Sequence, residues 1–254
     1  MRIAVLGSGG IGGYYGALLA KAGHDVSFIA RGAHLEAMQG RGVEAIGSVV
    51  GAGAVLVGVV YIALQLAGPG VVLRTGGKGN VVFGELSGTL TERVQRIAGA
   101  FEQGGIPHQV STDINRVLWE KFLFIAGVGG VTALARSGIG PLLASLEGRT
   151  LVRTSCEEVA AVGLAERVPL PADAVDRAVE QAATLPPQWR SSMARDLEDG
   201  RRLEVEALSG VVVRRGLKLG VLTPIHRTIA ACLSVHQPSG STKPPTPAHS
   251  AIQA

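Results

Sequence analysis

Apolar positions along the chain follow two patterns, and they change over near residue 113. Up to there the apolar runs are short, continuous and rich in β-branched residues, as buried parallel strands require. Residues 2–6 read as one such strand, 14–22 as a helix, 23–25 as a turn and 26–30 as a second strand. Strand, helix and strand within about 30 residues make a βαβ unit. A further helix is expected at 35–41, strands near 55–62, 71–74 and 81–85, and a helix at 90–104 with Ile97, Ala98 and Phe101 inward. Beyond 113 the apolar spacing is helical over 113–135, 139–165, 171–184 and 190–217, with a shorter stretch after Pro224. From 237 the chain is rich in Pro, Ser and Thr, the composition of a disordered tail. The expected architecture is α/β: an incomplete Rossmann-type domain over 1–112, an all-α domain over 113–236 and a tail over 237–254.

Two charges interrupt the helical stripes. In the helix from Asp113 the inward positions are Ile114, Val117, Lys121, Phe124, Val128 and Val131, so Lys121 sits on an apolar face. Met193, Leu197, Glu204, Leu208 and Val211 form a second stripe with Glu204 in its middle. An ionised group on such a face is costly unless it is paired or used. A shielded lysine can give a proton to a forming alkoxide. The plainer reading is a snorkelling lysine and a glutamate at the edge of a packed face.

The segment 45–73 carries no charged residue and is long enough to span a bilayer. Gly47, Gly51, Gly53, Gly58, Gly68, Pro69 and Gly70 break it, so it reads as two or three buried strands joined by tight turns, not as a membrane helix. The chain carries 24 basic against 20 acidic residues, for a net charge of +4. These charges are scattered and form no basic stripe with interleaved aromatics, which excludes nucleic acid as the expected partner. The six histidines show no metal-ligand spacing and read as surface or core residues, so no metal is expected. Cys156 and Cys232 form no framework, in keeping with a reduced, cytoplasmic protein.

The firmest chemical signal is Gly7-Ser8-Gly9-Gly10-Ile11-Gly12. A strand enters it, a helix leaves it and a second strand ends about 20 residues on, the context a dinucleotide-binding turn needs. Gly7 permits the tight turn, Gly9 lets backbone amides approach a pyrophosphate, and Gly12 lets helix and strand pack closely. The helix N-terminus adds partial positive charge. At the end of the second strand stands Arg31, where an NAD-preferring site would place an acid. An arginine there suits the 2′-phosphate of NADP.

Further along, the chain resembles the ketopantoate reductase (2-dehydropantoate 2-reductase) family over almost its whole length before the tail. The carriers are residues 1–13 with Arg31, Gly58-Val59-Val60-Tyr61-Ile62, Pro69-Gly70-Val71-Val72, Phe83-Gly84-Glu85-Leu86, Trp119-Glu120-Lys121-Phe122 and residues 191–197. The resemblance implies a Rossmann domain joined to a helical domain with the active site between them. It implies NADPH-dependent reduction of 2-dehydropantoate to pantoate, a step in pantothenate and coenzyme A synthesis, by a monomer or homodimer. It also implies that Lys121 is the general acid, and that Ser192 and Glu204 hold the carboxylate and hydroxyl ends of the substrate.

The chain departs from the family pattern in two places. Residues 43–47 pass almost directly into 53–58, with no lysine between Lys21 and Lys78 and no asparagine before Asn80. The family carries a second substrate-site lysine and a nicotinamide-side asparagine in that interval. The domain is on the order of 50 residues short of the length a complete doubly wound domain uses. After Lys121, Ile125, Gly129 and Ile139 stand where the family often has asparagines facing the substrate. Two alternatives therefore accompany the reductase reading: a degenerate, non-catalytic NADP-binding protein of the same fold, and a reductase of another small 2-keto acid.

Overall fold

The computed structural model describes residues 2–6, 10–29, 56–68 and 71–237. The chain divides into two compact units, Met1–Lys121 and Phe122–Ala254. The first opens with strand β1 (Arg2–Leu6), helix α1 (Gly10–Lys21) and strand β2 (Asp25–Ile29). β1 and β2 pair in parallel, from Arg2 opposite Asp25 to Leu6 opposite Ile29, which makes the expected βαβ unit. Gly23 ends α1 in the left-handed region at φ 86°. The amides of Gly23 and His24 return to the carbonyls of Ala20 and Leu19, closing the last turn.

A second sheet has the order β3 (Val57–Gly68), β4 (Val71–Gly84), β5 (His108–Val110), with β3–β4 antiparallel and β4–β5 parallel. The strands expected at 71–74 and 81–85 are one strand. The glycines between them are taken into the ladder as a bulge: pairing steps from Tyr61–Asn80 to Ala63–Gly76. Gly77 and Gly79 there have φ of 79° and 75°, and a Cβ on Gly77 would lie 2.7 Å from the Ile62 Cα. The expectation of fully buried strands fails for the outer half of this ribbon, where Val71 and Leu73 are each 49% exposed. Where the described part of segment 45–73 can be seen it is strand, not membrane helix. The helix expected at 35–41 lies outside the described residues.

The inner half of the ribbon is covered on both faces. Val60, Ile62, Val81 and Phe83 pack with Tyr15 and Leu19 of α1 and with Val94, Ala100 and Phe101 of helix α2 (Glu92–Gln103). The opposite face presents Val57, Tyr61 and Val82 to Ile114, Val117 and Leu118, which open helix α3 (Ile114–Ala135). Strand alternation puts successive residues on opposite faces, so one ribbon serves two apolar layers. Gly84 closes the inner end, since a Cβ there would meet the Ser111 carbonyl oxygen at 2.1 Å. Beside it Glu85 is gripped through both carboxylate oxygens by the Nε and Nη2 of Arg93 and by the Thr91 hydroxyl at 2.6 Å. Thr91 also caps α2, accepting from the Val94 amide.

The second unit is helical, with α3 continuing into it from the division at Lys121. Then come α4 (Ile139–Ala144), α5 (Leu146–Ala165), α6 (Ala174–Ala183), α7 (Ser192–Glu198), a π-helical turn (Glu206–Gly210), α8 (Val211–Leu219) and α9 (Pro224–Ser234). The single helices expected over 139–165 and 190–217 are therefore broken. Ser145 divides the first by capping α5, its hydroxyl accepting the Gly148 amide at 2.9 Å. Gly200 at φ 64° turns the second, and 199–204 run without helix. Small residues of α3 permit its close crossings: Cβ atoms on Gly127 and Gly130 would meet Cys156 at 2.6 Å and Ile229 at 3.0 Å. His226 is fully buried between the Ser209 hydroxyl at 3.2 Å and the Ser155 carbonyl at 3.1 Å, and burial holds its imidazole down at about 4. Glu158 accepts the Ile225 and His226 amides at the start of α9.

The Arg93 guanidinium, with the Thr91 hydroxyl, holds the Glu85 carboxyl at about 2, below its ordinary 4.5. A depressed carboxyl stabilises the fold above its ordinary value and loses that contribution as pH falls toward the folded value. Glu85→Gln is therefore expected to melt earlier than the parent at neutral pH, with the gap closing between pH 4.5 and 2. Paired melting curves check this, and a gap that stays constant over that range contradicts it.

Candidate functional site

α3 begins against the ribbon, and its apolar stripe explains where Lys121 goes. Ile114 is buried and Val117 half-buried against Val57, Val82 and Tyr61. One turn further along the same face stands Lys121, half-buried, as the spacing predicted. Phe124, half-buried, and Val128 and Val131, fully buried, complete the stripe.

The Lys121 Nζ donates to the Val60 carbonyl oxygen at 2.8 Å and stands 5.8 Å from the centre of the Tyr61 ring. Burial lowers its pKa from the ordinary lysine value. The neighbouring acid does not neutralise it, because Glu120 takes the Arg116 guanidinium at 2.8 Å while Arg116 also reaches Asp113 at 3.2 Å. The result is an ammonium held by a neutral carbonyl and an aromatic face, with protons to give. Burial, with the Glu120 charge nearby, raises the Tyr61 phenol, so the ring stays neutral.

Ser192 and Glu204 lie in the second unit. Ser192 is the first residue of α7 and is exposed. Its position is set by Ser191, which is buried: the Ser191 hydroxyl accepts the Ala194 amide at 3.1 Å and lies 3.0 Å from both the Gly129 carbonyl and the Thr132 hydroxyl. Glu204 departs from expectation. It is not on a helix but in the non-helical link after α7, and it is exposed rather than inward, because Gly200 interrupts the stripe. Partial desolvation and the Asp196 charge raise its carboxyl pKa. For a side chain this open to solvent the shift carries little energy. Asp196 follows Ser192 by one helical turn, so Ser192 and Glu204 both border α7.

Of the positions where asparagines were expected, Ile125 is exposed, Ile139 is buried in the core, and Gly129 lies 3.4 Å, by its notional Cβ, from the Ser191 Cβ. The polar groups beside Gly129 are thus Ser191 and Thr132, which apolar periodicity does not reveal. Sequence reasoning likewise missed the Val60 carbonyl and Tyr61; the glycine run 76–79 was the available signal of an irregular strand beside them.

Of the dinucleotide turn, Gly10, Ile11 and Gly12 are the first residues of α1, and Ile11 is exposed. Gly7, Ser8, Gly9 and Arg31 lie outside the described residues. β1 ends at Leu6 and α1 starts at Gly10, so a short link delivers the chain from a parallel strand to a helix N-terminus. That arrangement fits a pyrophosphate group. The described parallel sheet has two strands, against the larger sheet of a complete doubly wound domain.

Comparison with known proteins bears on this arrangement directly. The sequence profile "Ketopantoate reductase PanE/ApbA" matches residues 3–49, and "Ketopantoate reductase PanE/ApbA C terminal" matches residues 113–237. The 2-dehydropantoate 2-reductase of Halobacterium salinarum is 35% identical over 191 residues, covering 75% of this chain and 62% of that relative. The chain thus spans about three fifths of that relative's length. The corresponding protein of Mesorhizobium japonicum is 27% identical over 322 residues, covering 92% of this chain and 96% of that one. An alignment longer than the 254-residue chain means that this relative carries segments the chain lacks. Among solved structures, a PanE/ApbA family ketopantoate reductase from Ralstonia eutropha superimposes with a TM-score of 0.78 at 26% identity, covering 93% of this chain and 98% of that one.

The Ser191 cap is open to test without any ligand. Ser191→Ala removes a helix-capping oxygen, at a cost of about 1 kcal/mol. For a chain of this size that lowers the melting temperature by about 2–4 °C. Calorimetry reads the shift, and a variant as stable as the parent shows that the serine anchors nothing.

Proposed function

The chain belongs to the ketopantoate reductase family, and on that premise we propose that it is an NADPH-dependent reductase converting 2-dehydropantoate to pantoate in the cytoplasm. The observation that carries the reading is the Lys121 ammonium held at the Val60 carbonyl with its pKa lowered by burial. A lysine so placed gives up its proton more readily than one in water.

In this reading the residues from Gly7 to Gly12 take the pyrophosphate of NADP and Arg31 its 2′-phosphate. The reduced nicotinamide supplies a hydride to the keto carbon when it is bound. Lys121 donates a proton to the carbonyl oxygen as negative charge develops there, so the product leaves as the alcohol. The Val60 carbonyl restrains the ammonium, limiting the orientations from which it can donate. Ser192, at the open start of α7, donates a hydrogen bond to the substrate carboxylate. Glu204, exposed at the end of the link after α7, accepts from the hydroxyl at the other end.

Two specific observations support other readings. The two-stranded parallel sheet and the longer relative favour a protein that binds NADP without turnover. Ile125, Gly129 and Ile139 in place of asparagines favour a different small 2-keto acid.

Purified protein mixed with NADPH and 2-dehydropantoate is expected to oxidise the cofactor, and to do so faster than with NADH. Lys121→Ala is expected to lower kcat by about 100-fold or more. The activity of the parent is expected to fall on the alkaline side as Lys121 loses its proton, at a pH below the ordinary lysine value of 10.5. NADPH binding without oxidation supports the non-catalytic reading, and turnover of other keto acids alone supports the third.

A further inference from the structure

Beside Lys121 the ribbon carries a polar group that the proposed reaction has not used. Asn80 pairs with Tyr61 across the β3–β4 ladder. Residues directly opposite in an antiparallel pair put their side chains on one face, so Asn80 stands on the face that Tyr61 turns toward α3. Its Oδ1 is shut off from solvent and has no hydrogen-bond partner among the described residues. A buried acceptor left unpaired is costly, and native structures leave few of them.

A complementary donor lies on the same face. An ammonium has three N–H donors, and Lys121 gives one of them to the Val60 carbonyl. The Tyr61 ring, which is Asn80's ladder neighbour, lies 5.8 Å from Nζ. The backbone next to Asn80 is irregular: Gly77 and Gly79 have positive φ, and the bulge displaces the register immediately after the Tyr61–Asn80 pair. Bulges re-aim side chains in this way. The Tyr15 hydroxyl fixes the bulge from the other layer by donating to the Gly79 carbonyl at 3.1 Å.

We propose that the Asn80 side-chain oxygen is a second seat for the Lys121 ammonium, which makes Asn80 a positioning residue for the proton donor of the reduction described above. With Nζ on Val60 the donor is parked against backbone. With Nζ drawn to Asn80 it is carried along the ribbon past the Tyr61 ring. The part played in reduction rests on the reductase reading, whereas the seat itself does not.

Among the described residues, charged and titratable groups around the pair are few. α3 contributes Arg116 with the two acids it pairs, Asp113 and Glu120. β3 contributes Tyr61, and β4 contributes Arg74 and Lys78, both exposed. A change at position 80 should therefore be felt first by Lys121.

The test is competitive acylation of the full chain with acetic anhydride over a range of pH, with the labelling of Lys121 and Lys78 read by mass spectrometry. In Asn80→Asp the labelling midpoint of Lys121 should rise by about one pH unit or more, because an anion within reach favours the ammonium. In Asn80→Leu it should fall, because an acceptor for the charged form is lost, and the Lys78 midpoint should stay in place in both. Should the leucine variant fail to fold, Asn80→Ala takes its place. A Lys121 midpoint identical in parent and variants overturns the proposal. Labelling requires no turnover, so a moved midpoint in a protein that does not oxidise NADPH removes the reductase reading and leaves the seat. An active reductase with an unmoved midpoint removes the seat alone.

Discussion

The contact on which the site depends is the hydrogen bond from the Lys121 ammonium to the Val60 carbonyl. A half-buried charge needs an acceptor that cannot drift away, and among the described residues no salt bridge holds this one. Val60 meets that need because its strand is held from both sides. Its side chain and those of Ile62, Val81 and Phe83 are locked among α1 and α2, while the alternate residues Val57, Tyr61 and Val82 lie under α3. The same helix that covers this second face brings Lys121, so platform and donor are fixed by one packing event. Gly84 and the Glu85–Arg93 pair secure the end of the ribbon, where a side chain at 84 would collide with Ser111.

Much of this was legible in the residues. Short β-branched runs and a glycine turn gave the parallel pair and its helix, and the spacing of three and four placed Lys121 on the inward stripe of α3. The reading failed where glycine had more than one meaning. Two strands were expected at 71–74 and 81–85, yet a bulge absorbs Gly76 to Gly79 between them and a single strand results. Gly200 looked like part of a helix, yet its left-handed backbone ends the stripe and leaves Glu204 exposed. Backbone acceptors such as the Val60 carbonyl and caps such as Ser191 leave no periodic trace. They are decided by which backbone and side-chain atoms meet, and that depends on the fold.

The relation to the family has a physical consequence. The family profiles match residues 3–49 and 113–237, and the interval between them contains the ribbon, α2 and β5. In this chain that interval carries the acceptor for Lys121 and is tied to α1 through the Tyr15 hydroxyl, which donates to the Gly79 carbonyl. What would otherwise be a shortened doubly wound sheet still has a three-stranded piece with both faces of its inner half covered. The outer half, where Val71 and Leu73 face solvent, has no such cover among the described residues.

The central claim is that the inner ribbon is a rigid platform for the Lys121 ammonium, and amide hydrogen exchange measures this directly. The account predicts that the ladder amides within Val57–Tyr61 and Asn80–Phe83 exchange more slowly, by about two orders of magnitude or more, than those of Leu64–Leu66 and Val71–Leu73 in the outer half. Equal, fast exchange along the whole ribbon would contradict it, since a strand that opens that readily cannot hold the Val60 carbonyl in place for Lys121.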